Sequence, residues 1–171
     1  RVPDDRYGDF RAQIAGAGRA DLRLHELARR YGAATVRAVM DDARAYSRRL
    51  VERRLARLPD ATVTHEETLD GDGISAAAPC VRVRIDKRGT HLAVDFAGSS
   101  PCVAGPINAP FAVTASAVYY TLLLLAGGDV PPNAGVYAAA SISAPAASLV
   151  NAVEPYPVVA ANTETSNRLV D

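Results

Sequence analysis

The chain has 171 residues, of which 49% are hydrophobic, and its 19 basic and 19 acidic side chains give no net charge. This length fits one domain, with or without an appendage, and the charge balance favours neither nucleic acid nor an anionic membrane as a partner. Cys80 and Cys102 match no metal-ligand spacing and no disulfide framework, so reduced thiols and a cytoplasmic location are expected. The most apolar run, residues 111–126, is too short to cross a bilayer and favours a buried helix.

The first 58 residues predict a helical segment. Apolar side chains recur at helical spacing through residues 10–27, and Gly32 is a suitable stop because glycine tolerates positive φ. A long amphipathic helix is predicted from Ala33 to Leu58, with its apolar and its charged side chains on separate stripes. Residues 59–171 carry strand patterns and a further helix, so the whole chain predicts an α+β fold.

The clearest strand pattern is a β-hairpin. Residues 61–69 alternate as a strand, and "CVRVRID" and "THLAVDF" then place their apolar residues on one face each. If "DKRG", residues 86–89, is the loop between them, Ile85 lies opposite Thr90 and all the apolar side chains share one side of the sheet.

Beyond the hairpin, residues 111–126 predict a helix that begins with Pro110 in its first position. Hydroxyl groups early in this helix are expected to donate to the carbonyl four residues back. "VYAAASISAP", residues 136–145, predicts a strand of small residues, and the prolines at 155 and 157 predict extended structure or an edge strand. "TETSNRLVD" predicts a helix capped by Thr163 or Thr165.

A segment of small and stiff residues, "DFAGSSPCVAGPINAP", connects the hairpin to the apolar helix. Asp95 at its start can act as a general base, a metal ligand or a backbone cap, or pair with a strand arginine. Gly105 permits close approach of another backbone or a positive φ. Asn108 offers one acceptor and two donors, either to a ligand or as a helix cap.

A second polar segment, "ANTETS", follows an apolar run near residue 160. Glu164 could serve as a general acid or base or as a metal ligand. Asn162 and Thr165 could orient a substrate amide. The alternative is that the segment only caps the helix that follows it.

Four segments together resemble the hydantoinase B / 5-oxoprolinase family. They are "RVPDDRYGDFRAQIAGAGRADLRLHELARRYG", "VDFAGSSPCVAGPINAPFAVTASAVYY", "DVPPNAG" and "ANTETSNRLVD", and they occur in the order of the family across nearly the whole chain. The family includes B-type subunits of ATP-dependent hydantoinases, domains of 5-oxoprolinases and large subunits of ketone carboxylases. Its members run to several hundred residues, so this chain is expected to be a central fragment that is inactive alone.

The resemblance implies a reaction shared with an A-type partner that binds ATP and phosphorylates the carbonyl oxygen of a small cyclic amide. The B-type part then hydrolyses the activated ring. Some members hold a divalent metal, but no metal ligand and no cofactor is assigned to this chain, and a homo-oligomer is left open. The expected catalytic residues are Asp95 and Glu164, and the expected substrate-binding residues are Asn108, Asn162 and Thr165.

Three other interpretations stay open. The chain could belong to a ketone carboxylase of the same family, or serve as a scaffold that only contacts a partner. It could also be a stand-alone domain that binds a small molecule. Convergence of Asp95, Asn108, Asn162 and Glu164 in one cleft would favour the enzyme, whereas side chains spent on caps would favour the scaffold.

Overall fold

The computed structural model describes residues 3–76 and 78–171. Helices come first, a four-stranded sheet follows, and three further helices lie in the second half, which confirms the α+β prediction. The chain divides into two compact units, Arg1–Ala43 and Arg44–Asp171. The division predicted from the sequence follows secondary structure instead and falls at residue 58. Within the described residues, no helix is both long enough and apolar enough to cross a membrane.

The N-terminal helices follow the predicted pattern. Helix α1 spans Pro3–Tyr31 and ends at Gly32, whose φ of 84° confirms the role of glycine as the stop. Helix α2 spans Ala33–Leu55, three residues short of the predicted end, because a turn occupies residues 56–58. No side chain of α1 is buried in the part of the chain that the structure describes.

The second half of α2 is anchored to the proline-rich segment that follows the apolar helix. Ser47 is fully buried, donates to the carbonyl of Pro131 at 2.9 Å and accepts from Asn133 at 2.8 Å. Gly135 packs so closely on this helix that an added Cβ would lie 1.9 Å from the carbonyl oxygen of Arg44. The motif "DVPPNAG" therefore serves as a docking loop for α2.

The sheet has the order β1-β2-β3-β4, where β3 and β4 are parallel and the other pairs antiparallel. The four strands are β1 Ala61–Thr68, β2 Cys80–Arg88, β3 His91–Asp95 and β4 Ala140–Ser143. The predicted hairpin is confirmed, but its register is wrong, since Ile85 lies opposite Val94 rather than Thr90. Residues 86–88 extend β2, and Gly89 and Thr90 alone form the turn.

The slip in register leaves the faces of the hairpin unchanged. It moves each partner by an even number of residues, and side chains alternate sides with a period of two. Val81, Leu92, Val94 and Phe96 are accordingly all buried in the core. Lys87, expected in the loop, is instead buried beside them and donates from Nζ to the carbonyl of Leu58 at 2.6 Å.

Helix α3, Phe111–Ala126, packs into the core with the predicted bounds. Pro110 is its N-cap rather than its first helical residue. Ser116 donates to the carbonyl of Ala112 as predicted, at 2.7 Å. Thr114 does not follow that rule, because it is fully buried and donates to the carbonyl of Val150 at 2.6 Å.

The remaining elements depart further from the sequence pattern. Residues 134–137 form a short helix, α4, so the predicted strand at 136–145 shrinks to β4. Helix α5 spans Thr165–Val170 with Glu164 as its N-cap, and the predicted threonine caps are wrong. The hydroxyl groups of both threonines bind carbonyls outside α5. No strand forms around residues 155–157 in the described chain.

Candidate functional site

The loop before β2 and the small-residue segment approach each other unusually closely. A Cβ built on Gly105 would lie 1.8 Å from the carbonyl oxygen of Asp72 and 2.7 Å from its Cβ. No side chain can occupy that space, so glycine is required here for close backbone approach. Of the two roles expected for Gly105, the structure therefore selects close packing.

Asp72 organises the loop on its side of this contact. Its side chain is only 2% exposed and accepts from the backbone N–H groups of Ser75 at 2.6 Å, Ile74 at 2.9 Å and Gly105 at 3.1 Å. Hydrogen bonds from Ser75 first, and then from Ile74, lower the pKa of the Asp72 carboxyl from 3.8 to about 2. The carboxylate is thus a fixed structural anion at neutral pH.

Asn108 organises the backbone of the small-residue segment, as Asp72 does for its own loop. It is fully buried, and its Oδ1 accepts from the backbone N–H of Val103 at 2.8 Å. Its Nδ2 donates to the carbonyls of Val103 at 2.9 Å, Gly105 at 2.8 Å and Pro157 at 2.9 Å. Three carbonyls share the two N–H groups, so neither donor is left for a ligand. Asn108 therefore fixes backbone here, where the sequence suggested either a ligand contact or a helix cap.

The same segment holds the second polar segment in place. The carbonyl of Pro106 accepts from the backbone N–H of Ala160 at 2.9 Å. The carbonyl of Ile107 accepts a short hydrogen bond from the hydroxyl of Thr165, which is fully buried. Thr165, expected to orient a substrate, is thus tied to backbone at the first residue of α5.

A cavity of about 410 Å³ opens where these three segments meet. Its charged lining consists of three carboxylates and one guanidinium. The lining residues are Leu69, Asp70, Gly71, Asp72, Gly73, Ile74, Pro106, Ile107, Glu164 and Arg168. Arg168 is half-buried, and its Nη1 also lies 3.4 Å from Oε1 of Glu67. Glu164 and Arg168 are four residues apart, so both reach the cavity from one side of α5.

The other predicted residues lie elsewhere. Asn162 lines a separate cavity of about 360 Å³ between the start of α3 and the opposite side of α5. Asp95 accepts from the hydroxyl of Ser143 at 2.7 Å and from the backbone N–H of Ala97 at 3.2 Å. Neither of these two cavities is lined by all four side chains whose convergence would have favoured an enzyme.

Two charged residues that line the 410 Å³ cavity, Asp72 and Arg168, were not predicted from the sequence as site residues. Asp72 stood in "DGDG", a pattern that indicates a turn but not a contact with a glycine 33 residues away. The sequence predicts Arg168 only as part of the helix in "TETSNRLVD". Glu164 precedes it by four residues, the spacing at which two side chains share a helix face. That spacing was the signal available in the sequence.

The divalent metal that the resemblance implies would need a cluster of donor side chains. Across residues 3–76 and 78–171, no three His, Cys, Asp or Glu side chains come close enough to share a metal ion. The carboxylate of Asp72 is already bound to three backbone N–H groups. The described residues therefore hold no complete ligand set for that metal.

Comparison with known proteins decides the family. The sequence model of the hydantoinase B/oxoprolinase family matches residues 1–171. The chain belongs to this family. It is 35% identical, over 94% of its length, to a protein of Pseudomonas sp. (strain NS671) provisionally named as the B subunit of a D-/L-hydantoinase, of which it covers 29%. It is 32% identical, over 98% of its length, to 5-oxoprolinase 1 of Arabidopsis thaliana, of which it covers 14%.

A solved structure is similar to this chain in both fold and sequence. The crystal structure of an ATP-dependent caprolactamase from Pseudomonas jessenii superposes with a TM-score of 0.81 at 29% identity. The match covers 97% of this chain and 29% of the caprolactamase chain. The chain thus spans less than a third of the length of each of these three relatives.

Proposed function

We propose that this chain is part of the B-type component of an enzyme that opens cyclic amides at the expense of ATP. The observation that carries the proposal is the likeness to an ATP-dependent caprolactamase, at a TM-score of 0.81 over 97% of the chain. Hydantoin, 5-oxoproline and caprolactam, which give three of the relatives their names, are all cyclic amides. The shared chemistry is therefore attack on an amide carbonyl held within a ring.

An A-type partner is part of this proposal. The hydantoinase relative is named as one lettered subunit of its enzyme, which implies at least one other. The matched segment takes up 29% of that relative and 14% of the 5-oxoprolinase, so the 5-oxoprolinase chain is about twice as long. Fusion of the partner into the same polypeptide accounts for that difference in length.

The role of ATP follows from the chemistry of the amide bond. Resonance makes the carbonyl carbon of an amide a weak electrophile, and transfer of the γ-phosphoryl group to its oxygen removes that resonance. The A-type component performs this transfer and releases ADP, and the B-type component directs water to the activated carbon. The ring C–N bond then breaks, its nitrogen takes up a proton, and the phosphoryl group leaves as inorganic phosphate, which yields the carboxylate. Water needs a base that takes its proton as the new bond forms, a contribution of about 10²- to 10⁴-fold in rate.

Glu164 is the proposed general base. It is an exposed carboxylate at the mouth of the 410 Å³ cavity, on a backbone held by the bond between Thr165 and Ile107. Arg168 in the same cavity has the charge to attract a phosphorylated or carboxylate-bearing substrate. Asn162 and Asp95 stay secondary candidates for substrate contact and base, respectively, from their separate positions.

The test uses the full-length protein with its A-type component. Hydantoin, 5-oxoproline and caprolactam are supplied one at a time, and ADP release and ring opening are followed by mass spectrometry. We expect at least one ring to stimulate ADP release, and Glu164→Gln to lower kcat for ring opening by about 100-fold or more. Glu154→Gln, a change at an exposed glutamate outside the described cavities, should leave kcat unchanged.

Three results would contradict this proposal in different ways. Absence of any ADP release that depends on a cyclic amide would refute the hydrolase, and incorporation of labelled bicarbonate into product would identify a ketone carboxylase instead. If Glu164→Gln, Asp95→Asn and Asn162→Ala all retained full activity, this segment would be a scaffold. The buried, fully bonded Asn108 and Thr165 are the observations that favour the scaffold as the second candidate.

A further inference from the structure

The basic residues of this neutral chain are concentrated on the second half of α2 and the turn after it. Residues 44–58, "RAYSRRLVERRLARL", contain six arginines and a single acidic residue, Glu52, although the whole chain has no net charge. Basic side chains in the last turn of a helix offset its dipole, which accounts for Arg53 and Arg54. The dipole does not account for the arginines one and two turns earlier.

Only part of this charge is neutralised within the chain. Arg48 pairs with Glu52 at 2.7 Å, and Arg54 donates to the carbonyl of Leu125 at 3.0 Å. Arg49, Arg53 and Arg57 have neither a carboxylate nor a carbonyl partner among the described residues. Three guanidinium groups on one short stretch therefore face solvent without a counter-charge.

Two of the unpaired arginines, Arg49 and Arg53, line a shallow hollow. The side of α2 that faces the core carries its buried residues, Ser47, Val51 and Leu55. On another side of the helix lies a hollow of about 470 Å³, whose lining residues are Tyr46, Arg49, Glu52, Arg53, Ala56 and Thr90. Tyr46 is 49% exposed, although it is a large aromatic side chain.

Composition indicates a protein partner at this surface. Tyrosine and arginine are among the residue types most enriched at the energetic centres of protein interfaces. An acidic partner would supply the missing counter-charges, and complementary charge raises the rate of association. We define the arginine face as the surface formed by this hollow, with Arg49 and Arg53 in its lining, and by the exposed Arg57 four residues further along the chain.

We propose that the arginine face is the surface that docks an acidic segment of the A-type component. The identity of this partner rests on the proposed function, whereas the requirement for an acidic occupant rests on the unpaired arginines alone. Carboxylates of that segment pair with Arg49 and Arg53, and an apolar side chain next to them packs on the ring of Tyr46. The 410 Å³ cavity with Glu164 is lined by other residues, so the docking surface is separate from the candidate site.

The experiment compares two charge reversals in the full-length protein. Arg49→Glu with Arg53→Glu changes the arginine face, and Arg19→Glu with Arg37→Glu makes the same change in net charge at exposed arginines outside it. Association with the purified A-type component is measured by surface plasmon resonance at low and at physiological salt. The urea midpoint of each variant checks that folding is intact.

We expect the reversal on the arginine face to lower the association rate constant about ten-fold or more at low salt and to flatten its salt dependence. The control pair should change neither. Arg49→Lys with Arg53→Lys should keep most of the rate, since charge drives the encounter.

Equal association by the wild type and the reversed variant would overturn the docking surface and leave the proposed function standing. If the wild type does not bind the A-type component at all, both proposals fail. The ring-opening assay distinguishes the two cases, because it does not depend on which surface the components use.

Discussion

Replacement of Asn108 by alanine gives the sharpest test of how the candidate site is built. The side chain is fully buried and is bonded to the backbone of Val103, Gly105 and Pro157. Because the amide has one acceptor oxygen and two N–H groups, its contacts amount to about three full hydrogen bonds, each worth about 1 kcal/mol net. Buried carbonyls left without a donor add to that loss, so we expect Asn108→Ala to lower the free energy of unfolding by about 3 to 5 kcal/mol.

Urea unfolding followed by circular dichroism measures this loss. With a slope of about 2 kcal/mol per molar urea, a destabilisation of 3 kcal/mol lowers the midpoint by about 1.5 M. Asn167→Ala is the matched control, since Asn167 is exposed and its amide makes one bond, to the carbonyl of Thr163 at 2.7 Å. That change should stay within about 0.5 kcal/mol.

The opposite result would refute the structural role of Asn108. If Asn108→Ala moved the midpoint by less than about 0.5 M while ring opening was lost, the amide would contact substrate. The sequence-based expectation of a substrate-binding residue would then be right. A large loss of stability in Asn108→Ala alone, with Asn167→Ala unchanged, supports the structural role.

Two further predictions concern the contact between the loop of Asp72 and the small-residue segment. Gly105→Ala must displace the backbone of Asp72, so it should lower the free energy of unfolding by about 1 to 3 kcal/mol or more. Gly128→Ala is the control in the same urea assay. A Cβ there would meet open space, so this change should be neutral or slightly stabilising. The folded pKa of Asp72, about 2, lies below its ordinary 3.8, so its ionised form contributes stability that is present above pH 3.8 and is lost as the pH falls towards 2. The difference in stability between wild type and Asp72→Asn should therefore shrink between pH 5 and pH 2.5, and a constant difference would contradict this assignment.

Local sequence patterns predicted the elements whose structure is set by nearby residues. The bounds of α3 and the glycine stop of α1 were correct because helical spacing and backbone freedom act over a few residues. The faces of the hairpin were correct because alternation with a period of two survives any even slip. Its register was wrong because a two-residue turn at Gly89 competes with a four-residue one, and the buried bond of Lys87 to Leu58 favours the former.

The candidate site was harder to predict because contacts between distant residues create it. Gly105 stood out in the sequence as a small residue, and Asn108 as a polar one. The groups that they contact lie far along the chain, at Asp72 for Gly105 and at Pro157 for Asn108. No local pattern indicates that the space beside Gly105, where a side chain would lie, is filled by the carbonyl group of Asp72. Glu164 was identified as a candidate from its polar neighbourhood, and only the fold adds Arg168 to the same cavity.

The small-residue segment therefore supports the candidate site rather than forming its reactive part. Residues 105–108 receive the loop of Asp72 on one side, through the space that Gly105 leaves open. On the other side they hold residues 157–165 through Asn108 and through the bond from Thr165 to Ile107. Both walls of the cavity thus depend on one four-residue stretch. Substitutions within it are expected to move Glu164 and lower activity even though none of its side chains need touch a substrate.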